Sequence, residues 1–265
     1  MEKWKLGNTI AFITMVIVNI AANIIPIGGN TTGEVSANYP NLFTPAPITF
    51  TIWGIIYLML AGFIAYQWRT SDSDEESRKL RSRLSVWFII SCVMNIAWIF
   101  AWHFDAIALS LVFILGLLVS LLFIERCIKS VEETRWSRIL VNATFDIYFG
   151  WIFVAAIANA GTLFTKLGWD FFGLGQPFGV IFALLIATGI LSVLVVTQHK
   201  PILGLTAIWA FSGILIRHLS PAELNSRYPF VIMAIVFSMV FLMSMIVYSI
   251  AHTTYWRKHM PTAMG

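Results

Sequence analysis

Three groups of aromatic and amide side chains recur at helical spacing in apolar parts of the sequence, where they could bind a flat ligand. Residues at positions i, i+3 and i+7 share one face of a helix. Polar side chains inside hydrocarbon are unfavourable, so Asn95 and Asn159 should turn their groups toward the interior of a bundle. The three groups, called stripes 1 to 3, are Phe50, Trp53 and Tyr57, then Asn95, Trp98 and Trp102, then Tyr148, Trp151, Ala155 and Asn159.

Three inward stripes would form a cavity wall that is mostly flat and apolar and carries a few hydrogen-bonding groups. Such a wall suits a large planar or rigid ligand, which predicts a binding site. The alternative is that the asparagines bond across helices while the aromatic rings only fill the core.

Asp146 is an acidic residue well inside an apolar segment. An Asp at the centre of a membrane helix costs about 2.5–3.5 kcal/mol, so it should be paired, protonated or in contact with water. Asn142, one turn earlier, is one partner within reach. Two interpretations stay open: a structural hydrogen bond, or ligand contact and proton coupling. Asp146 is therefore a candidate ligand-binding residue, and a proton-coupled transporter of a small molecule is an alternative function.

No motif predicts a catalytic residue, a metal site or a required cofactor. His103 and Asp105 lie in a short turn and could bind a metal or a haem iron, but a solvated histidine is the simpler interpretation. Cys92 and Cys127 fit neither a disulfide framework nor a metal site. The sequence contains no Walker loop, HExxH, nucleophile elbow or CxxC pair.

The elements that must position the stripes are membrane-spanning helices. The chain has 265 residues, of which 58% are hydrophobic and 11% charged, and its mean hydropathy is +0.81. Continuous apolar runs of about 20 residues match the thickness of a bilayer and are too long for barrel strands. We predict an all-α polytopic membrane protein with eight spans, at about 8–27, 47–68, 85–104, 106–126, 139–160, 177–198, 202–218 and 229–251.

The positions of the basic residues predict the orientation. Of the 17 Lys and Arg residues, all except Lys166, Arg217 and Arg227 lie at one set of span ends. By the positive-inside rule both termini are then cytoplasmic, and an even number of spans is required. Basic residues that flank apolar runs are explained by the membrane, so nucleic acid is not an expected partner.

Three segments outside the spans matter for function. Loop 28–46 is long and contains no basic residue, so it is either a lid or a disordered tether. Pro45 and Pro47 form a candidate gating loop within and beside it, and the next helix should begin near Pro47 because proline suits a first helical turn. Segment 69–84 should form a partly helical hairpin that could dock a protein partner.

The stripes also carry a family resemblance. Segment 43–57, FTPAPITFTIWGIIY, looks like the second-helix signature of the TspO/MBR family, the tryptophan-rich sensory or translocator proteins. Residues 95–98 are similar to that family's third-helix Asn-x-x-Trp, and residues 148–151 resemble its fifth-helix Tyr-x-x-Trp. The resemblance covers about residues 1–160. It implies a five-helix module over 1–160, an outer interfacial connector over 161–176, and a three-helix extension with a short cytoplasmic tail over 177–265.

The resemblance implies that the stripe residues line or brace a cavity for porphyrins and related tetrapyrroles, with sterols and synthetic aromatic compounds as further ligands. We therefore expect an integral membrane protein that binds a tetrapyrrole, such as a porphyrin or haem, or a similar aromatic ligand in sensing, sequestration or transport. Light-driven breakdown of bound porphyrin, with Trp53 and Trp151 as electron donors, would follow from the same analogy. The expected location is the bacterial cytoplasmic membrane, and a homodimer is possible. A regulatory scaffold that uses segment 69–84 is a further alternative.

Overall fold

The computed structural model describes residues 3–25, 27–70, 75–129 and 134–259. Eight of its helical segments are long and apolar enough to cross a membrane, which confirms the all-α, eight-span prediction. The helices are α1 (Lys3–Ile24), α2 (Thr32–Ala37), α3 (Ile52–Arg69), α4 (Glu75–His103), α5 (Ile107–Ile128), α6 (Arg135–Ser137), α7 (Thr144–Lys166), α8 (Gly175–Gln198), α9 (Pro201–Leu219) and α10 (Pro229–His259).

Two spans contain a turn of different helical geometry at or near their start. A 3₁₀ turn, Pro47–Thr51, leads into α3, so the chain becomes helical at the predicted proline. A π-helical turn, Arg138–Ala143, joins α6 to α7 and makes a continuous span of Arg135–Lys166. Because π turns rotate the following residues relative to an ideal α-helix, this turn sets the direction in which the start of α7 presents its side chains.

The spans form one continuous series of packed helices. α4 packs against α1 and α5, α5 packs against α7, α7 packs against α9, and α10 packs against α8 and α9. A Cβ on Gly150 of α7 would lie 3.1 Å from the carbonyl oxygen of Leu203 in α9, so glycine permits the close approach of these two helices. The predicted three-helix extension is therefore in direct contact with the predicted five-helix module through α9.

Large apolar side chains cover the outside of the bundle, as expected of an integral membrane protein in contact with lipid. They are exposed along several spans, for example at Ile17, Leu58, Val112, Val193 and Val240. The end of the bundle that contains residues 3–9, 67–70, 75–85, 122–129, 134–146 and 194–203 is called the termini end. The end that contains residues 28–46, 103–107, 161–175 and 217–229 is called the loop end.

Loop 28–46 is an ordered cover over the loop end, so the lid interpretation describes it better than a tether. α2 lies within it and begins with a capping box, in which the Thr31 hydroxyl accepts from the Glu34 backbone N–H and the Glu34 carboxylate accepts from that of Thr31. At the other end, α4 already begins at Glu75, so part of segment 69–84 is helical as predicted. Residues 71–74 of the predicted hairpin lie outside the described residues.

Candidate ligand-binding site

Trp53 is the centre of an aromatic cluster to which all three stripes contribute. Its ring lies 5.6 Å from that of Tyr57 and 6.1 Å from that of Trp98, both nearly parallel to it. The Trp151 ring approaches edge-on, with a centroid distance of 6.2 Å. Offset-parallel and edge-to-face pairs are the favoured geometries of aromatic rings. The stripes therefore converge as the helical spacing predicts, although each sits on a different helix.

Two cavities lie on either side of this cluster. The first, of about 50 Å³, faces α7 and α9. It is lined by Thr32, Ser36, Phe43, Pro45, Phe50, Trp53, Trp98, Trp102, Trp151, Val154, Ala155, Ala158, Asn159, Thr162 and Ala210. The second, of about 260 Å³, faces α1 and α2. It is lined by Asn19, Asn23, Thr32, Gly33, Pro47, Phe50, Trp53, Tyr57, Trp98 and Ile99. The side chains of Phe50, Trp53 and Trp98 belong to both linings and separate the two spaces.

Two indole groups of the first cavity have unused hydrogen-bonding capacity. The Trp98 and Trp151 side chains are 6% and 3% exposed, and their Nε1 atoms have no hydrogen-bond partner among the described residues. In contrast, Trp102 Nε1 donates to the backbone oxygen of Thr32 over 3.1 Å. Buried polar groups without a partner are unusual in proteins and call for an explanation. A bound ligand with acceptor atoms would supply the missing partners.

Most predicted site residues line one cavity or both, but Asn95 and Tyr148 do not. Asn95 accepts a hydrogen bond from Asn19 (2.7 Å) and donates one to the Tyr148 hydroxyl (3.2 Å). Asn95 is 0% exposed and Tyr148 is 1% exposed. Together with Asn19 they connect α1, α4 and α7 behind the aromatic cluster. Of the two predicted roles, lining or bracing a cavity, their contacts fit bracing, because their side-chain amide and hydroxyl groups already bond to each other and to Asn19; their effect on ligand binding stays a prediction. They brace the cavity wall.

Asp146 also lies apart from both cavities. Its carboxylate accepts from Lys200 Nζ over 2.5 Å, and the same ammonium group contacts the carboxylate of Glu125. These residues come from α7, the α8–α9 turn and α5, and they meet at the termini end. The structure thus replaces the predicted partner Asn142 by Lys200, whose side chain reaches Asp146 from a turn that is distant in sequence. The two carboxylates more than offset the effect of burial on Lys200 and raise its pKa.

The cover over the loop end is held by an ionic and hydrogen-bonded group around Asp105. The Asp105 carboxylate accepts from the Tyr39 hydroxyl (2.6 Å) and from Lys166 Nζ (2.7 Å). The bond to Lys166 is the main reason that the pKa of Asp105 is lowered. The bond to Asp105 in turn raises the pKa of Tyr39.

His103 forms hydrogen bonds with the segment that covers the loop end, and its ring nitrogens are not available to bind a metal. Its Nδ1 donates to the backbone oxygen of Ile27 (3.0 Å), and its Nε2 lies 3.0 Å from the Thr32 hydroxyl. Both ring nitrogens are therefore occupied by the cover segment. The simpler interpretation, a solvated histidine, is also wrong, because the side chain is 3% exposed.

α9 holds the proline-containing segment from the opposite side. Arg217 Nη1 donates to the backbone oxygens of Asn41 (2.9 Å) and Thr44 (3.1 Å), and His218 Nε2 donates to that of Leu42 (2.9 Å). The backbone N–H of Ala46 donates to the Gly213 oxygen (3.0 Å). Pro45 lines the first cavity and Pro47 the second. Whether these prolines act as a gate stays a prediction.

Several lining residues were not predicted. Asn19 and Asn23 are polar residues at i and i+4 in the first span, so the rule that selected Asn95 and Asn159 could have selected them. Thr32 and Ser36 belong to the cover, and Ala210 belongs to α9. A small apolar residue such as Ala210 gives no signal in a sequence, because only the packing of α9 against α7 brings it to the cavity.

The comparisons with known proteins agree with this architecture. A family model described as TSPO-like protein matches residues 5–248. No curated protein and no solved structure matches the chain. The matched region runs from α1 into α10, so it includes the helices beyond residue 160 as well as all three stripes. The resemblance seen in the motifs is confirmed, and the chain belongs to the family of TSPO-like proteins.

Proposed function

We propose that the protein binds a planar aromatic ligand of the tetrapyrrole class, such as a porphyrin, between the three stripes. The family and the membrane architecture support a membrane protein that acts in binding or transport. The observation that carries the proposal is the pair of buried indole N–H groups of Trp98 and Trp151, which have no partner among the described residues. They lie in an aromatic wall that offers a flat ring both stacking surface and hydrogen-bond donors.

The combined volume of the two cavities is small for a tetrapyrrole, so part of the aromatic wall must move when such a ligand binds. Sites for drug-sized ligands have volumes of about 300–1,000 Å³, and the two cavities of about 50 and 260 Å³ reach the lower limit only together. Trp53 lines both cavities and is partly exposed. We therefore expect the Trp53 ring to rotate away from Trp98 when a tetrapyrrole enters, which would join the two spaces.

The test is a titration of the purified, detergent-solubilised protein with protoporphyrin IX, followed through the absorbance of the porphyrin. Trp98→Phe and Trp151→Phe each remove an N–H donor and keep an aromatic ring. Each should weaken binding about fivefold, the usual effect of one hydrogen bond. Trp136→Phe is the matched control, because Trp136 is 62% exposed at the termini end and lines neither cavity.

Saturable binding that both cavity substitutions weaken and Trp136→Phe leaves unchanged would support the proposal. Binding that is not saturable, or that all three variants weaken equally, would refute it. Tryptophan quenching during the same titration should fall in Trp53→Phe, because that ring lines both cavities.

The orientation and location complete the proposal. Basic residues at the termini end favour a cytoplasmic position for both termini, and the expected membrane is the bacterial cytoplasmic membrane. The cavities would then open below a cover on the outer side. The transporter alternative requires Asp146 to exchange protons, and that residue is engaged with Lys200 outside both cavity linings.

A further inference from the structure

The ion-paired group at the termini end contains one more carboxylate than ammonium. Lys200 contacts both Glu125 and Asp146, and the three side chains are 12%, 8% and 8% exposed. Taking these groups out of water is unfavourable unless every charge is compensated. With all three ionised, the group carries one uncompensated negative charge. A proton, a cationic ligand or the neighbouring ammonium group of Lys129 can neutralise it.

One oxygen of this group is free to accept a hydrogen bond. Glu125 Oε1 is buried and has no partner in the described part of the chain, whereas the other oxygen, Oε2, contacts Lys200. Glu125 as a whole is 6% exposed. A buried carboxylate oxygen without a donor is strongly unfavourable. Glu125 Oε1 is thus the acceptor in this group to which a ligand could donate.

Glu125 belongs to the lining of a cavity of about 120 Å³. The other lining residues are Leu122, Arg126, Lys129, Phe149, Leu194, Gln198, Lys200 and Leu203. α5 packs against α4 and α7, while α8 packs against α9 and α10, so the cavity lies where α5 and α8 face each other without close packing. On α5 the lining residues have the spacing i, i+3, i+4 and i+7 of one helix face.

The polarity of this lining changes with depth in the membrane. Both α5 and α8 run toward the termini end, so Leu122 and Leu194 lie deeper than Lys129 and Gln198. Arg126 and Lys129 are exposed at the rim, next to the buried Glu125. The buried acceptor Glu125 thus lies between apolar side chains and a basic rim, so a headgroup whose phosphate lies at the rim could reach Glu125 with its terminal ammonium group.

We propose that this cavity binds the headgroup of a phospholipid that carries a primary amine, of the phosphatidylethanolamine type, from the leaflet at the termini end. The ammonium group would donate to Glu125 Oε1 and compensate the excess negative charge. The phosphate would lie against Arg126 and Lys129 at the rim. A zwitterion can pair with both the acidic and the basic part of the site, whereas a simple anion leaves Glu125 without a donor and a simple cation leaves the basic rim unused.

The test compares two lipids of equal charge, of which only one has an ammonium group that can donate a hydrogen bond. Delipidated full-length protein is titrated with dihexanoyl phosphatidylethanolamine and with dihexanoyl phosphatidylcholine, and bound lipid is counted by native mass spectrometry. The two headgroups carry the same charges, but the quaternary ammonium of phosphatidylcholine has no N–H. We expect the ethanolamine lipid to bind about tenfold more tightly, as a charge-assisted hydrogen bond would allow.

Two kinds of variant separate the parts of the site. Glu125→Met removes the acceptor and leaves Lys200 paired with Asp146, so it should abolish the preference for the ethanolamine lipid without unfolding the protein. Arg126→Gln should weaken both lipids equally, because both carry the phosphate. Glu223→Gln is the matched control: this carboxylate pairs with Arg217 at the loop end, far from the cavity, and its loss should leave the preference intact.

Equal affinity of the wild type for the two lipids would overturn the proposal, and so would a preference that survives Glu125→Met. Free phosphoethanolamine that binds as tightly as the lipid would show that the chains add nothing and would overturn the assignment to a lipid. None of these results depends on porphyrin binding, so this proposal and the proposed function can fail independently.

Discussion

Replacing Lys200 by methionine removes the ammonium group that two buried carboxylates share. Breaking a buried ion pair by removing one partner typically destabilises a protein by about 3–5 kcal/mol, because the other charge stays buried. The side chains concerned are 12% and 8% exposed, so solvent screening reduces this value only slightly. Protonation of the carboxyl groups limits the effect. We therefore expect a loss of about 3 kcal/mol in the free energy of unfolding at pH 7.5, at the lower end of that range.

Removing one of the two carboxylates instead of the ammonium group should have a smaller effect. Glu125→Met removes the surplus carboxylate and leaves Lys200 and Asp146 as a balanced pair, so its effect should stay below about 1 kcal/mol. The assay is reversible unfolding in mixed micelles, followed by tryptophan fluorescence for both variants and the wild type. At pH 5 the deficit of Lys200→Met should shrink, because the carboxyl groups take up protons more readily there. Equal destabilisation by the two substitutions would refute the charge argument.

Three further substitutions test the cover and the cavity wall. Gly213→Ala places a Cβ 1.8 Å from the Thr49 hydroxyl oxygen and should destabilise the protein by about 1–3 kcal/mol in the same unfolding assay. Gly189→Ala is the control and should not destabilise it, because a Cβ there would meet no atom within 4 Å outside its own stretch of helix backbone. Tyr148→Phe leaves a buried asparagine amide without its acceptor, which should cost about 1–2 kcal/mol. The pKa of Asp105 is lower in the folded protein than in the unfolded chain. The ionised Asp105 therefore stabilises the fold at a pH above its unfolded pKa, and this stabilisation is lost as the pH falls through its folded pKa. Because Asp105 is exposed, its contribution to the free energy of unfolding is at most about 1 kcal/mol. In limited proteolysis, loop 28–46 should become easier to cleave as the pH falls, and Asp105→Asn should abolish this dependence on pH.

The parts of the site that can be predicted from the sequence are those that depend on a single helix. The spacing of Phe50, Trp53 and Tyr57 fixes one face of α3 whatever surrounds it, and the same holds for the other stripes. The eight spans follow from length and polarity in the same way. For Asn95 the spacing predicts the direction of the side chain but does not decide between lining and bracing the cavity, because it says nothing about whether another side chain already satisfies the amide.

The parts that could not be predicted depend on contacts between distant segments. In the sequence Lys200 is only one of the basic residues that set orientation, but its contacts with Glu125 and Asp146 join positions 75 and 54 residues apart. Ala210 likewise reaches the cavity only because α9 packs against α7. Such contacts depend on the relative positions of helices, and one sequence without its relatives contains little information about them.

The hydrogen bonds between α9 and the proline-containing segment have a consequence for the synthesis of the protein. The bonds from Trp209 to Thr49 and from His218 to Leu42 connect positions 160 and 176 residues apart. At cellular rates of about 5–20 residues per second, roughly ten to thirty seconds separate the emergence of these partners from the ribosome. During that interval the backbone oxygens of Leu42 and Thr49 have no α9 to bind, and the aromatic wall is open on that side. We therefore expect the segment around Leu42 and Thr49 to be least protected before α9 enters the membrane, so a fault in that late helix would expose an early part of the chain.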